Sequence, residues 1–184
     1  MDAIDRQRDA YFGCHDWTQA LTLTGNEREE FLVDLYKRKL KEATGAKFVF
    51  AYRLCHPDKK QTYYYLVHAT NNIDGITNMK DSFAQINNGR MEYLGRYQNE
   101  LTIFDLDSYK SNSLVENVLK VFSGKTMTFI SVLESIIENV QFQQKDLSEA
   151  LKTMEKEGNV TIKRVSSTRG RYKDLDEITF GEIA

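Results

Sequence analysis

Apolar residues recur along this chain at helical spacing, then at strand spacing, then at helical spacing again. Over residues 26–43, Phe31, Leu32, Leu35, Tyr36, Leu40 and Ala43 fall on one face, which predicts a helix. Asn26 with Glu29 three residues on reads as a capping box, and Gly45 as the stop. Lys47–Leu54 and Tyr63–Thr70 read as strands rich in aromatic and β-branched residues. Pro57 and Asp58 lie in the short connection between them, so an antiparallel hairpin is expected. An Asn71-Asn72 turn then opens a helix through about Ile86, with Ile76, Met79, Phe83 and Ile86 on one stripe. Asn at such a turn is first of all a capping residue.

Residues 90–112 are polar and aperiodic and read as a junction. A second pattern follows. Ser113 and Glu116 cap a helix whose apolar face is Leu114, Val115, Val118, Leu119 and Phe122, and Gly124 breaks it. Lys125–Thr128 is a short strand and Phe129–Val140 a very apolar helix. Gln144–Glu157 is a third helix, with Leu147, Ala150, Leu151 and Met154 inward and Gly158 at its end. Val160–Val165 and Glu177–Phe180 are strands flanking a basic loop. Three helices followed by a β-hairpin is the winged-helix order, with a helix-turn-helix core.

Composition limits the function classes. The 184 residues are 41% apolar and 11% aromatic, which is enough for a packed core. The formal net charge of −2 gives no global pull toward nucleic acid or an acidic membrane. No run approaches the ~20 apolar residues that span a bilayer, so no membrane role is expected. The polar start MDAIDRQRDAYF lacks the apolar region of a secretory signal. A cytoplasmic location and free thiols at Cys14 and Cys55 are expected.

The wing carries the sharpest local chemistry. Lys163, Arg164, Arg169, Arg171 and Lys173 place five cations in eleven residues, with no acid until Asp174. Such a hairpin tip can contact phosphates or enter a minor groove. Lys145, Lys152 and Lys156 lie outward on the third helix, and Lys145 and Lys152 extend the candidate nucleic-acid surface. Asp146, Glu149, Glu155 and Glu157 share that helix, and carboxylates oppose a phosphate backbone. A solvated or protein-binding winged helix is the competing reading.

Other constellations carry less. Cys14-His15 and Cys55-His56 offer zinc-type ligands, but adjacent residues on an extended chain point apart, so no metal site is expected. Asp105 and Asp107 in TIFDLDSY resemble the start of a haloacid-dehalogenase-like phosphatase. Ser108 stands where glycine is usual, and a winged-helix pattern follows, so a polar linker is favoured.

Phe12-Gly13, Trp17, Leu35-Tyr36, Leu40, Tyr64, Leu66, Ala69-Thr70-Asn71, Gly75 and Met79-Lys80 form a further set. With ALKTMEKEG over Ala150–Gly158, they resemble the C-terminal half of the three-Cys-motif partner protein family, whose members look like methyltransferases. The resemblance implies an α/β fold. Residues 1–90 would be the C-terminal part of a Rossmann-like methyltransferase module, an antiparallel hairpin plus helices. Residues 91–112 would be a junction and 113–184 a winged-helix domain. Such methyltransferases bind S-adenosylmethionine at a Gly-rich turn after the first strand. No G-x-G occurs here, so no cofactor, no catalytic residue and no activity of the chain alone are expected. The expected role is a non-catalytic accessory or recognition module contacting DNA, RNA or a partner protein. A truncated sheet exposes strand edges, so a homodimer or bound partner is also expected. The alternative is a fragment or split half of an S-adenosylmethionine-dependent methyltransferase. Substrate and methyl acceptor are left open.

Overall fold

The computed structural model describes residues 3–55, 61–86, 92–93, 114–138, 142–165 and 172–182. The first part opens with α1 (Ala3–Phe12), a 3-10 segment (Asp16–Thr22) and α2 (Gly25–Thr44). Next come β1 (Phe48–Cys55), β2 (Thr62–Thr70), α3 (Ile73–Ile86) and a two-residue β3 (Glu92–Tyr93). The second part holds α4 (114–122), β4 (Thr126–Thr128), α5 (Phe129–Ile136), α6 (Gln144–Glu157), β5 (Val160–Lys163) and β6 (Glu177–Phe180). It is a mixed helix and strand architecture with two small sheets.

The first sheet has the order β2-β1-β3. β1 and β2 form the expected antiparallel hairpin, with Phe48 opposite Thr70 and Tyr52 opposite Leu66. β3 lies parallel to β1. β1 is buried on both faces, which is why it reads as a continuous apolar run. One face, with Phe48, Phe50 and Tyr52, meets α3, where the Tyr52 and Phe83 rings stack with centroids 3.8 Å apart. The helix α2 packs on the sheet as well, through the buried Leu35.

The capping box expected at Asn26 and Glu29 does not form. α2 begins at Gly25 behind Thr24, with no side-chain cap. Glu29 reaches the hairpin instead. Its carboxylate accepts hydrogen bonds from Thr62 Oγ1 and from Tyr65 Oη (2.6 Å), and lies 3.2 Å from Arg53 Nε. Partial burial pushes this carboxyl up, but the two hydroxyl donors and the Arg53 charge outweigh burial and hold it below the ordinary glutamate value. A long-range network thus replaces a local cap.

The Asn71-Asn72 turn behaves as capping chemistry predicts. Asn71 Oδ1 accepts the Lys47 N–H at 2.7 Å, and Asn72 Oδ1 accepts the Asp74 N–H at 2.9 Å. Gly75 follows on the first turn of α3. A Cβ there would sit 2.8 Å from Thr70 Oγ1, so glycine is needed for the helix to approach β2.

The second sheet is antiparallel in the order β4-β6-β5. Its helices and the first sheet share one buried cluster, running from Phe48, Phe50 and Phe83 to Phe129, Leu147 and Phe180. Polar contacts reinforce this join. Lys80 is fully buried, donates to the Ile137 carbonyl at 2.8 Å, and lies 5.5 Å from the Phe50 ring centroid. An ammonium at the C-terminal end of α5 is favoured by the helix dipole. The Glu138 carboxylate accepts from Lys41 Nζ (2.7 Å) and the Val49 N–H (2.6 Å), and Gln143 Nε2 donates to Asp81 Oδ1 (2.8 Å). Among the described residues no helix is long and apolar enough to cross a membrane.

Candidate nucleic-acid interface

The order α4, β4, α5, α6, β5, β6 places α6 as the third helix of a winged helix, with residues 164–176 as the wing between β5 and β6. α6 forms because Leu147, Ala150, Leu151 and Met154 share one buried stripe. The Asp146 carboxylate accepts the Gln143 N–H at 2.8 Å, closing the first turn. Gly158, at φ 80°, ends the helix in the left-handed conformation. Burial of that stripe presents Lys145, Glu149, Lys152 and Lys156 to solvent on the opposite side.

The acids expected to oppose phosphate divide by partner. Asp146 is spent on the N-terminal turn, and Glu157 accepts from Asn159 Nδ2 at 3.1 Å. Glu155 forms a bidentate pair with Arg164, at 2.8 and 2.7 Å. The guanidinium holds the Glu155 carboxyl below its ordinary value, and the carboxylate raises Arg164 in turn. Glu149 and Glu157 stay exposed beside Lys145, Lys152 and Lys156, so the outward face keeps a small excess of positive charge, three lysines against two acids.

The wing cations separate into distinct roles. Arg164 is satisfied within the protein, because Glu155 takes its guanidinium and the Tyr172 ring lies 5.6 Å from its central carbon. It fastens the wing base to α6. Burial pushes the Tyr172 hydroxyl above the ordinary tyrosine value. Lys163 makes a surface pair with Glu177 at 3.0 Å, an arrangement that contributes little. Lys173 is exposed, and its backbone N–H donates to Asp176. Arg169 and Arg171 lie outside the described residues.

Asp176 is a residue that sequence reasoning missed. It is only 2% exposed, and its two oxygens accept the Val165 and Lys173 N–H groups, both at 2.9 Å. One carboxylate thereby closes the base of the wing from both sides. This explains why β5 stops at Lys163 rather than running to Val165. An acid just before a strand was the only signal, and it does not identify its partners.

Of the remaining constellations, only the residues near the N-terminus and Cys55 are among the described residues. Cys14 and Cys55 are not joined in a disulfide, and Cys55 is buried. His15 Nδ1 lies 2.9 Å from Asp9 Oδ1, which also accepts from Trp17 Nε1 at 2.7 Å. Those hydrogen bonds, that from Trp17 first, hold Asp9 below its ordinary value. His56, Asp105 and Asp107 lie outside the described residues. Among the described residues no group of three or more His, Cys, Asp or Glu side chains is placed to hold a metal.

No curated protein and no solved structure matches the chain. Residues 90–167 match the family described as the GMT-like wHTH domain, and the stretch covers α4 through β5 and the start of the wing. The chain therefore carries a winged-helix domain of a methyltransferase-associated family, a kind of module suited to holding nucleic acid or protein.

Proposed function

We propose that this chain is a non-catalytic recognition module whose winged helix lays α6 and the wing against the phosphates of a nucleic-acid duplex. The lysine face of α6 carries the reading: Lys145, Lys152 and Lys156 outnumber the exposed Glu149 and Glu157, and Arg164 neutralises Glu155. Lys145, Lys152 and Lys156 on the helix, with Arg169, Arg171 and Lys173 on the wing, are the contacts. Arg164 and Lys163 shape and flank the surface. A partner protein with an acidic surface is the competing occupant of the same face. Anisotropy with a labelled DNA duplex tests the proposal. Arg169→Ala/Arg171→Ala is expected to weaken binding and to make the salt slope shallower by about 2, one per lost phosphate contact. An unchanged slope would remove the wing from the interface.

The α/β part fits the closing edge of a Rossmann-like methyltransferase module, as in the three-Cys-motif partner family. The outer edge of β2, unpaired among the described residues, is expected to be covered in the working molecule by a second copy or a partner. Among the described residues, the strand-to-helix turn that could receive S-adenosylmethionine does not fit it. The strand-to-helix turn after β2 has its asparagines spent on Lys47 and Asp74, and the space beside Gly75 is filled by Thr70. The methyltransferase-associated family match favours one further reading, a split enzyme whose cofactor-binding half is a separate segment. This chain alone is then still expected not to bind S-adenosylmethionine in calorimetric titration. Saturable binding would contradict both assignments.

A further inference from the structure

Among the described residues, β2 is paired on one edge only. Long edge strands usually carry a charge, a proline or a bulge that blocks further pairing. Thr62–Thr70 reads TYYYLVHAT and contains no Asp, Glu, Lys, Arg or Pro. Its one irregularity is the extra residue at Tyr63, near its start. Tyr64–Thr70 is a regular run, and within it Tyr64 and Leu66 are 50% and 47% exposed.

The order of side chains in that run suits a second copy. Tyrosines precede Leu66, and smaller residues follow it. Antiparallel pairing about a two-fold axis at Leu66 puts Leu66 opposite Leu66, Tyr65 opposite Val67 and Tyr64 opposite His68. Each tyrosine then meets a smaller side chain of the other copy, and no formal charge meets a like charge. We propose that β2 is a homodimer interface in this register, joining two three-stranded sheets into one of six strands. The proposal rests on the reading above that the sheet edge is covered, and it names the occupant.

Light scattering on the full chain and a cysteine scan test it. Wild type is expected to have the mass of two chains, and Leu66→Lys, which sets two cations face to face, that of one. In a Cys14→Ser background, Leu66→Cys is expected to cross-link to itself under mild oxidation, since opposite Cα atoms about 4.5–5.5 Å apart suit a disulfide. Gln61→Cys is expected not to, because its two copies would lie roughly 30 Å apart. A monomeric wild type with no cross-link overturns the interface between copies and leaves a different protein as the cover of that edge. A dimer that survives Leu66→Lys without a Leu66→Cys link overturns β2 self-pairing and leaves the covered edge standing.

Discussion

Lys80→Ala is expected to lower stability by about 3–5 kcal/mol, read from urea denaturation followed by far-UV circular dichroism. The side chain is fully buried, and its ammonium meets the Ile137 carbonyl that caps the end of α5. Truncation removes a long stem from a packed core and leaves the Ile137 carbonyl without this donor. A loss of that size is a large fraction of the roughly 5–15 kcal/mol that holds a domain folded. Lys80→Met separates the two causes. It keeps the volume and loses the donor, so a cost of about 1–2 kcal/mol is expected. A change below about 1 kcal/mol for the alanine variant would show that Lys80 does not couple α3 to the winged helix.

The second large effect concerns binding. Lys145→Ala/Lys152→Ala/Lys156→Ala is expected to reduce affinity for duplex DNA by more than 100-fold at about 0.1 M salt. Counterion release at that salt makes each phosphate contact worth about eightfold, so three contacts approach about 500-fold. The three side chains are exposed and alanine is a strong helix former, so stability is expected to change by no more than about 0.5 kcal/mol. Loss of binding with an unaltered melt assigns the effect to the surface. Retained binding would take α6 out of the interface.

Legibility in the sequence followed the range of the forces involved. α6 and β6 have the bounds their patterns predict, because a buried stripe and a terminal glycine are local signals. α1 and the 3-10 segment were not legible. No residue of α1 is buried, so its sequence carries no stripe, and the 3-10 segment buries only Trp17 and Ala20. β3 is two residues long within a polar run. Glu29 was misread because a local cap and a contact with the distant hairpin look alike in one dimension.

The candidate surface shows the same division. Helical period alone placed Lys145 and Lys152 outward. It could not show that Arg164 turns back onto Glu155, which depends on how β5 leaves α6. Nor could it show Asp176 closing the wing. Together those contacts change the meaning of the charges. A helix with four acids looks unsuited to phosphate until Glu155 is seen to be neutralised by Arg164 and Asp146 turned to the start of the helix.

The salt dependence of wild-type binding to a DNA duplex tests the recognition reading most directly. With the six helix and wing cations as the contacts, log K is expected to fall linearly with log salt, with a slope of about −5. No binding at low salt, or binding that salt does not weaken, would contradict it.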